Sequence, residues 1–165
     1  DITTTTAIRL MLDKAATVDE AVSLLEQYDM HSSAGSCYHF QLADAAGNSA
    51  VVEYIDNEFV VLKADEGYQM ATNFLLSDKK FNFGTGQDRY GILESSLNSG
   101  CGVVKDEQAG MDLLQAAAKD WRVSETSGRL NATQWSIVFN CTDLTAKVVT
   151  GRQYDKPAHI FSLTQ

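Results

Sequence analysis

Two neighbouring segments decide how this sequence folds. They are Tyr68-Gln-Met-Ala-Thr-Asn73-Phe74 and, after a polar linker, Gly84-Thr-Gly-Gln-Asp-Arg89-Tyr-Gly-Ile-Leu93. The first predicts a short strand that presents Asn73 at its end, and the second predicts a loop that enters a helix with Arg89 in its first turn. An amide and a guanidinium at the ends of adjacent elements are suited to hold a developing oxyanion and a carboxylate. Asn73 and Arg89 are therefore the candidate site residues, although strand-end turns and solvated helix starts use the same residue types.

The order of segments along the chain resembles the choloylglycine hydrolase family of linear-amide C–N hydrolases. That family includes bile salt hydrolases and penicillin V acylases, and it has acyltransferase relatives. Ala71-Thr-Asn73-Phe followed by Gln87-Asp-Arg89-Tyr-Gly-Ile-Leu carries the resemblance, and residues 17–25, 42–54 and 135–155 fit the same order. The resemblance covers nearly the whole chain, and the order and spacing of the segments carry it more than any single motif.

The resemblance implies an N-terminal-nucleophile hydrolase with a four-layer αββα sandwich of antiparallel sheets and flanking helices. Such enzymes attack a linear amide with an N-terminal cysteine, whose own amino group acts as the base, and pass through an acyl-enzyme. Asn73 would then hold the oxyanion, and Arg89 would position the catalytic centre and favour the thiolate. Because the first residue is Asp1 and no cysteine lies near it, we expect the C-terminal portion of such an enzyme, inactive without its cysteine half.

Composition limits the classes of partner. The chain has 165 residues, which is the size of one domain, and we expect a single domain over residues 1–165. A formal net charge of −9 argues against nucleic acid or an anionic membrane surface as the partner. No apolar run reaches the ~18 residues of a membrane span. A small acyl-amide substrate and no cofactor are expected, and the sequence does not decide between a bacterial cytoplasmic and a secreted setting.

Apolar spacing predicts an α+β chain. We expect helices at residues 6–15, capped by Thr5 or Thr6, and at 18–28, with Thr17 and Glu20 as a capping box. An antiparallel meander of four strands should follow at residues 37–42, 49–55, 58–64 and 68–72. Helices at 89–98, ended by glycines, and at 107–121, capped by Asp106, precede strands at 134–141, 146–152 and 159–163.

The cysteines offer a rival nucleophile. Cys37 and His39 lie two residues apart on one predicted strand face, and His31 comes shortly before them. A Cys–His pair can run acyl transfer, but no third group is evident to orient the imidazole, so a structural pair is favoured. Cys101, between glycines, is expected to be exposed, and Cys141, at a strand end, to be buried. The odd number and the spacing of these cysteines predict neither a metal site nor a disulfide framework.

Two readings from other classes stay open. The chain could be a binding or assembly module of the same fold without chemistry, or the large chain of a processed acyltransferase that stays bound to a smaller cysteine-bearing partner. An exposed apolar sheet face would indicate that part of the protein or a partner chain is missing, because complete monomers rarely leave such a patch uncovered. In that case we expect self-association, as a homo-oligomer, through that face.

Overall fold

The computed structural model describes residues 2–31, 38–55, 58–65, 67–77, 84–123, 128 and 130–163. They form two compact units, Asp1–Gln87 and Asp88–Gln165. Within the described residues, no helix is both long and apolar enough to cross a membrane. The expectation of one domain over residues 1–165 stays a prediction.

Helices and antiparallel strands alternate in groups along the chain, so the predicted α+β class is confirmed. The first unit contains β1 (Ile2–Thr3), α1 (Thr4–Lys14), α2 (Val18–Leu25), β2 (Met30–His31), β3 (His39–Ala43), β4 (Ser49–Ile55), β5 (Glu58–Lys63), β6 (Asn73–Phe74) and β7 (Gly84–Thr85). The helix α3 (Gln87–Ser99) begins at the last residue of that unit, and the second unit continues with α4 (Glu107–Ala116), β8 (Arg122–Val123), β9 (Leu130–Asn131), β10 (Trp135–Asn140), β11 (Thr145–Thr150) and β12 (His159–Ser162).

The helix starts follow local capping chemistry. The predicted caps are confirmed at Thr17, whose hydroxyl accepts from the Glu20 N–H at 3.2 Å, and at Asp106, whose carboxylate accepts from the Ala109 N–H at 2.7 Å. The predicted cap of the first helix is wrong, because Thr3 rather than Thr5 or Thr6 caps α1. A cap needs extended backbone as well as a side-chain oxygen, and Thr3 has that backbone since it ends β1.

Two helices end earlier than their apolar spacing predicts. α2 stops at Leu25 rather than Tyr28, and α4 stops at Ala116 rather than Trp121. Beyond α4, Thr133 takes both backbone groups of Lys119: its hydroxyl accepts from the Lys119 N–H at 2.9 Å, and its N–H donates to the Lys119 carbonyl at 3.2 Å. These bonds replace the ones that a further helical turn would make.

The first unit closes around its own apolar core. Its three-stranded sheet has the order β3-β4-β5, with Phe40 opposite Val52 and Val52 opposite Val61. This face packs on α1 and α2, where Leu25 and Val52 are both 0% exposed. Val51 and Glu53, on the opposite face of β4, are equally buried, so this central strand is covered on both faces.

The predicted fourth strand of the meander is wrong. Residues 68–72 do not form a strand, and hydrogen bonds of the Gln69 side chain replace the backbone ladder that a strand would make. The amide of Gln69 donates to the Leu62 carbonyl at 2.7 Å and accepts from the Ser49 hydroxyl at 2.6 Å, while Gln41 donates to the Gln69 carbonyl at 2.8 Å. Gln69 is thus tied to all three strands of the sheet through side-chain hydrogen bonds. Within the described residues, strand pairing resumes at Asn73 with β7.

The second unit contains a three-stranded sheet of the order β10-β11-β12, close to the predicted strands. α4 lies on one face, where a Cβ on Gly110 would be 3.4 Å from the Val138 side chain. Residues directly opposite in such a sheet share a face, so the register Phe139–Ala146–Phe161 places these side chains on the other face together with Trp135. Trp135, Phe139 and Phe161 are more than 60% exposed, which makes this the open apolar face of the unit.

Both described cysteines are exposed. This confirms the expectation for Cys101, which has a φ of 52° in the turn after α3, where the Gly102 N–H donates to the Leu97 carbonyl at 2.7 Å. The expectation that Cys141 is buried is wrong, because β10 ends one residue before it and the chain turns outward there. Cys37 lies outside the described residues.

Candidate active site

Asn73 sits at the start of a very short hairpin of strands. In the β6–β7 pair it lies opposite Thr85, and Phe74 lies opposite Gly84. Asn73 is exposed, whereas Phe74 and Leu75 directly after it are buried. The Thr72 hydroxyl donates to the Gly86 carbonyl at 3.1 Å, which adds a second tie between the two segments. The apolar residues that follow Asn73 thus anchor the backbone while the amide residue stays accessible.

Gly84 is required for this pairing. Its φ is +115°, and a Cβ placed on it would lie 2.1 Å from the Asn73 carbonyl oxygen and 2.6 Å from the Phe74 Cα. No side chain fits at such distances, and L-residues rarely adopt that φ. The glycine in the quoted motif therefore allows the backbone of β7 to approach Asn73.

Glu53, on β4, is fully buried on the face opposite the main core. Its carboxylate accepts from the Leu76 N–H at 2.7 Å, from the Ser77 N–H at 2.9 Å and from the Ser77 hydroxyl. The Nδ1 atom of His39 lies 3.4 Å from the same carboxylate. All of these groups contact one acid, and two of them, Leu76 and Ser77, belong to the turn that follows Asn73. The sequence does not reveal Glu53 as a site residue, since a glutamate inside a Val-rich strand carries no local sign of burial.

The structure gives His39 a defined surrounding. It faces Glu53 across β3 and β4, and its side chain is 16% exposed. The Cys37–His39 pair considered as a rival nucleophile cannot be assembled from the described residues, since Cys37 is outside them and only the backbone of His31 is described. Glu53 is a third group beside the imidazole that the sequence pattern did not reveal.

Arg89 lies in the first turn of α3, as predicted, and is half-buried. It lines a cleft of about 460 Å³ within the second unit. The other lining residues come from α3, from the end of α4 and from the short β8–β9 hairpin: Asp88, Ile92, Ala116, Ala117, Ala118, Lys119, Asp120, Arg122 and Asn131. Asn73 and Arg89 belong to different units.

The charge in the cleft is mainly positive. Gly151 and Arg152 both have positive φ, 57° and 59°, and this tight turn after β11 brings the Arg152 guanidinium to the Lys119 carbonyl and, at 2.6 Å, to the Asp120 carboxylate. Arg152 therefore offsets the charge of Asp120. Among the described residues, Lys119 and Arg122 form no ion pair. With Arg89 they give the cleft an excess of cations, which suits an anionic group of a ligand.

The sequence pattern did not reveal the side chains of Lys119, Asp120, Arg122 and Arg152 as part of a site. The segment 119–122 was read as the end of a helix and the start of a polar loop, and Arg152 as part of a strand. The sequence signal that could have found them is the Gly151-Arg152 pair, because a glycine before a charged residue at a strand end permits a sharp turn. Within the described residues, no three His, Cys, Asp or Glu side chains are grouped as metal ligands.

Comparisons with known proteins identify a family and a solved structure of the same fold. The model of the family "Acyl-coenzyme A:6-aminopenicillanic acid acyl-transferase" matches residues 2–154. A penicillin V acylase from Pectobacterium atrosepticum is 33% identical over 89 residues, which are 49% of this chain and 23% of that protein. The structure of penicillin V acylase from Agrobacterium tumefaciens matches with a TM-score of 0.65 at 19% identity, over 99% of this chain and 57% of that one. The chain thus spans little more than half the length of the solved relative, and the fold is shared.

Proposed function

Since the chain belongs to the acyl-coenzyme A:6-aminopenicillanic acid acyl-transferase family, we propose that it forms part of an enzyme that hydrolyses linear amide C–N bonds. The observation that carries the proposal is the family match across residues 2–154 together with Asn73, exposed at the end of a segment fixed by buried neighbours. The substrate class is an acyl group joined by an amide bond to an amino acid or amine. The penicillin V acylases to which the chain is similar support this class.

Asn73 acts in this proposal as an oxyanion donor. When a nucleophile attacks the amide carbonyl, negative charge develops on its oxygen, and the Asn73 side-chain NH₂ donates a hydrogen bond to it. One such donor lowers the barrier by about 3 kcal/mol when it is held in place before the reaction. The nucleophile is a cysteine thiolate in a part of the protein outside these 165 residues, with its own amino group as the base.

Arg89 acts through charge. A guanidinium beside the reacting centre favours the thiolate over the thiol and so raises the fraction of reactive nucleophile. The cations of its cleft, Lys119 and Arg122, bind an anionic group on the leaving part of the substrate, such as the carboxylate of an amino acid.

The open apolar face is the docking surface for the part of the protein that carries the cysteine. Trp135, Phe139 and Phe161 present large apolar side chains on one side of a sheet, and exposed patches of this kind mark interaction sites. Without that part the chain is inactive and associates with itself through the same face.

A hydrolysis assay on a panel of acyl-amino acid amides tests the proposal. The 165-residue chain is compared with a longer form that includes residues before Asp1, and with that form carrying Asn73→Ala. We expect activity only in the longer form and a loss of about 100- to 1,000-fold in kcat on Asn73→Ala.

Asn98→Ala, an exposed asparagine on α3, serves as the matched control and should retain full activity. Circular dichroism of each variant separates a lost donor from a lost fold. Activity of the 165-residue chain by itself would contradict the assigned nucleophile and return attention to Cys37 and His39. If neither form hydrolyses any amide of a broad panel, the reading as a non-catalytic module is favoured.

A further inference from the structure

One buried acid, Glu53, accepts hydrogen bonds from the turn that follows Asn73. Phe74 and Leu75 are buried, and the next two residues donate their backbone N–H groups to the Glu53 carboxylate, Leu76 at 2.7 Å and Ser77 at 2.9 Å. The Ser77 hydroxyl adds a third donor to the same carboxylate. A single side chain therefore fixes the backbone three and four residues after the candidate oxyanion donor.

This arrangement is unusual for a group that only fills space. A fully buried carboxyl is costly unless its oxygens are matched by donors, and removal of its partners leaves the charge uncompensated. Val51 and Val52, the neighbours of Glu53 on the same strand, show that the position could hold an apolar residue in a buried strand. Placing an acid there brings directional hydrogen bonds to one specific turn, which apolar packing cannot supply.

We propose that Glu53 is a positioning residue for Asn73, and that His39 and Ser77 orient its carboxylate. This rests on the proposed oxyanion role of Asn73. Glu53 touches no reacting atom: it fixes the peptide groups of residues 76 and 77, and these fix the direction in which the Asn73 side chain leaves β6. Gly84 supports the same residue from the other side, because it lets β7 lie against the Asn73 carbonyl.

His39 and Ser77 contact different oxygens of the Glu53 carboxylate. The imidazole Nδ1 lies 3.4 Å from Oε1, the oxygen that also accepts from Leu76, while Ser77 donates twice to Oε2. Different groups thus contact the two carboxylate oxygens, and together they favour one orientation of the carboxylate plane. This assigns to His39 an orienting role in place of the general-base role considered from the sequence.

The variant Glu53→Gln tests the proposal because it keeps the shape and replaces one acceptor oxygen by an NH₂ donor facing another donor. Amide hydrogen exchange on the 165-residue chain gives the first readout. We expect faster exchange at residues 73–77 and unchanged exchange in the core helices α1 and α2. Glu58→Gln, an exposed acid on the neighbouring strand β5, is the matched control and should change neither.

Kinetics on the active longer form give the second readout. Displacing an oxyanion donor by a fraction of an ångström to an ångström costs on the order of 10- to 100-fold, so kcat should fall by that factor while KM stays within about twofold. Ser77→Ala is the milder variant for the case in which Glu53→Gln does not fold, and it should reproduce the local exchange with a smaller loss of kcat.

The outcomes separate this inference from the proposed function. Unchanged exchange at residues 76 and 77, or equally faster exchange throughout the chain, overturns the positioning role. Local exchange with an unchanged kcat in an active enzyme overturns it as well, because Glu53 is then only structural. If the longer parent has no amidase activity, the proposed function fails first, and Glu53 loses its catalytic purpose even where the exchange result is local.

Discussion

The two units of the chain treat their apolar surface in opposite ways. In the first, the sheet β3-β4-β5 is covered on one face by two helices, and its central strand is buried on both faces. In the second, α4 covers one face of the sheet β10-β11-β12, and the other face exposes Trp135, Phe139 and Phe161. The first unit therefore buries its apolar sheet residues within itself, whereas the second leaves one apolar sheet face uncovered.

The same contrast holds for the candidate site residues. Asn73 lies where buried hydrogen bonds fix the backbone, while Arg89 lines a cleft whose other cations are half-buried or exposed. A donor that must meet an oxyanion needs a fixed direction, because hydrogen bonds weaken steeply with angle. A cation that attracts a carboxylate acts over a longer distance and tolerates motion. The difference in support between the two units therefore matches the roles proposed for the two residues.

The largest effect should come from breaking the closed core of the first unit. Leu25→Ala removes a fully buried side chain and should lower the free energy of unfolding by about 2–5 kcal/mol. Phe139→Ser, on the open face of the second unit, should change it by less than about 0.5 kcal/mol. Urea unfolding followed by circular dichroism measures both.

Phe139→Ser has a second expected result. Because the open apolar face is the proposed docking surface, the substitution should reduce self-association of the chain, measured by light scattering after size-exclusion chromatography. Leu25→Ala, if still folded, should leave the association unchanged. A large destabilisation by Phe139→Ser would mean that this face is part of a folded core, and the contrast between the units would be lost.

Local rules predicted the features that depend on a few neighbouring residues. The caps at Thr17 and Asp106 and the glycine exit after α3 need only side chains within three residues of the helix end, so their signals are complete in the sequence. The prediction of a strand at 68–72 was wrong. Its apolar and polar residues alternate as in a strand, but the segment contacts the sheet through side-chain hydrogen bonds. Gln69 bonds to Ser49 and Leu62, 20 and 7 residues away, and no local pattern encodes such a choice.

The site residues show the same limit. Asn73 and Arg89 were proposed from their chemistry and from the resemblance. The position of Arg89 in a first helical turn was predicted correctly, whereas Asn73 begins the short strand β6 instead of ending a strand over 68–72. Glu53 was missed because its donors lie 23 and 24 residues later, and the cleft was missed because it depends on the turn at Arg152, 32 residues beyond Asp120. Charged clusters assembled from distant segments are visible only after folding.

A smaller effect should follow from the cleft of the second unit. Arg122→Ala removes one exposed cation and should raise KM for a carboxylate-bearing amide substrate about tenfold, which corresponds to one charge-assisted contact. The KM for the matching methyl ester should stay unchanged, since it lacks the charge. The difference should shrink at high salt, because exposed charges are screened.

Arg9→Ala provides the control for this measurement. Arg9 is also exposed, but it lies on α1 in the first unit, where it pairs with Asp13 at 2.8 Å. It should leave both KM values unchanged. Equal increases for acid and ester with Arg122→Ala would contradict a carboxylate site in the cleft.

The smallest expected effect concerns a tyrosine in the closed core of the first unit. Burial, and then the proximity of Tyr38 and Asp29, raise the pKa of Tyr54 from 10.0 to about 12. Because the folded state disfavours the phenolate, the free energy of unfolding is independent of this group below the unfolded pKa, near 10, and it falls as the pH rises toward about 12. Among the described residues, the Tyr54 hydroxyl is buried without a hydrogen-bond partner.

Tyr54→Phe should therefore be neutral or slightly stabilising at pH 7, by less than about 1 kcal/mol, and should make stability fall less between pH 10 and 12. Tyr38→Phe is the matched control, because the Tyr38 hydroxyl donates to the Met30 carbonyl at 3.2 Å and its loss should cost about 1 kcal/mol at pH 7. Urea midpoints at pH 7, 10 and 11 measure both. A clear loss of stability for Tyr54→Phe at pH 7 would mean that its hydroxyl has a partner, and the first unit would then depend on a polar contact where its core is assigned to packing alone.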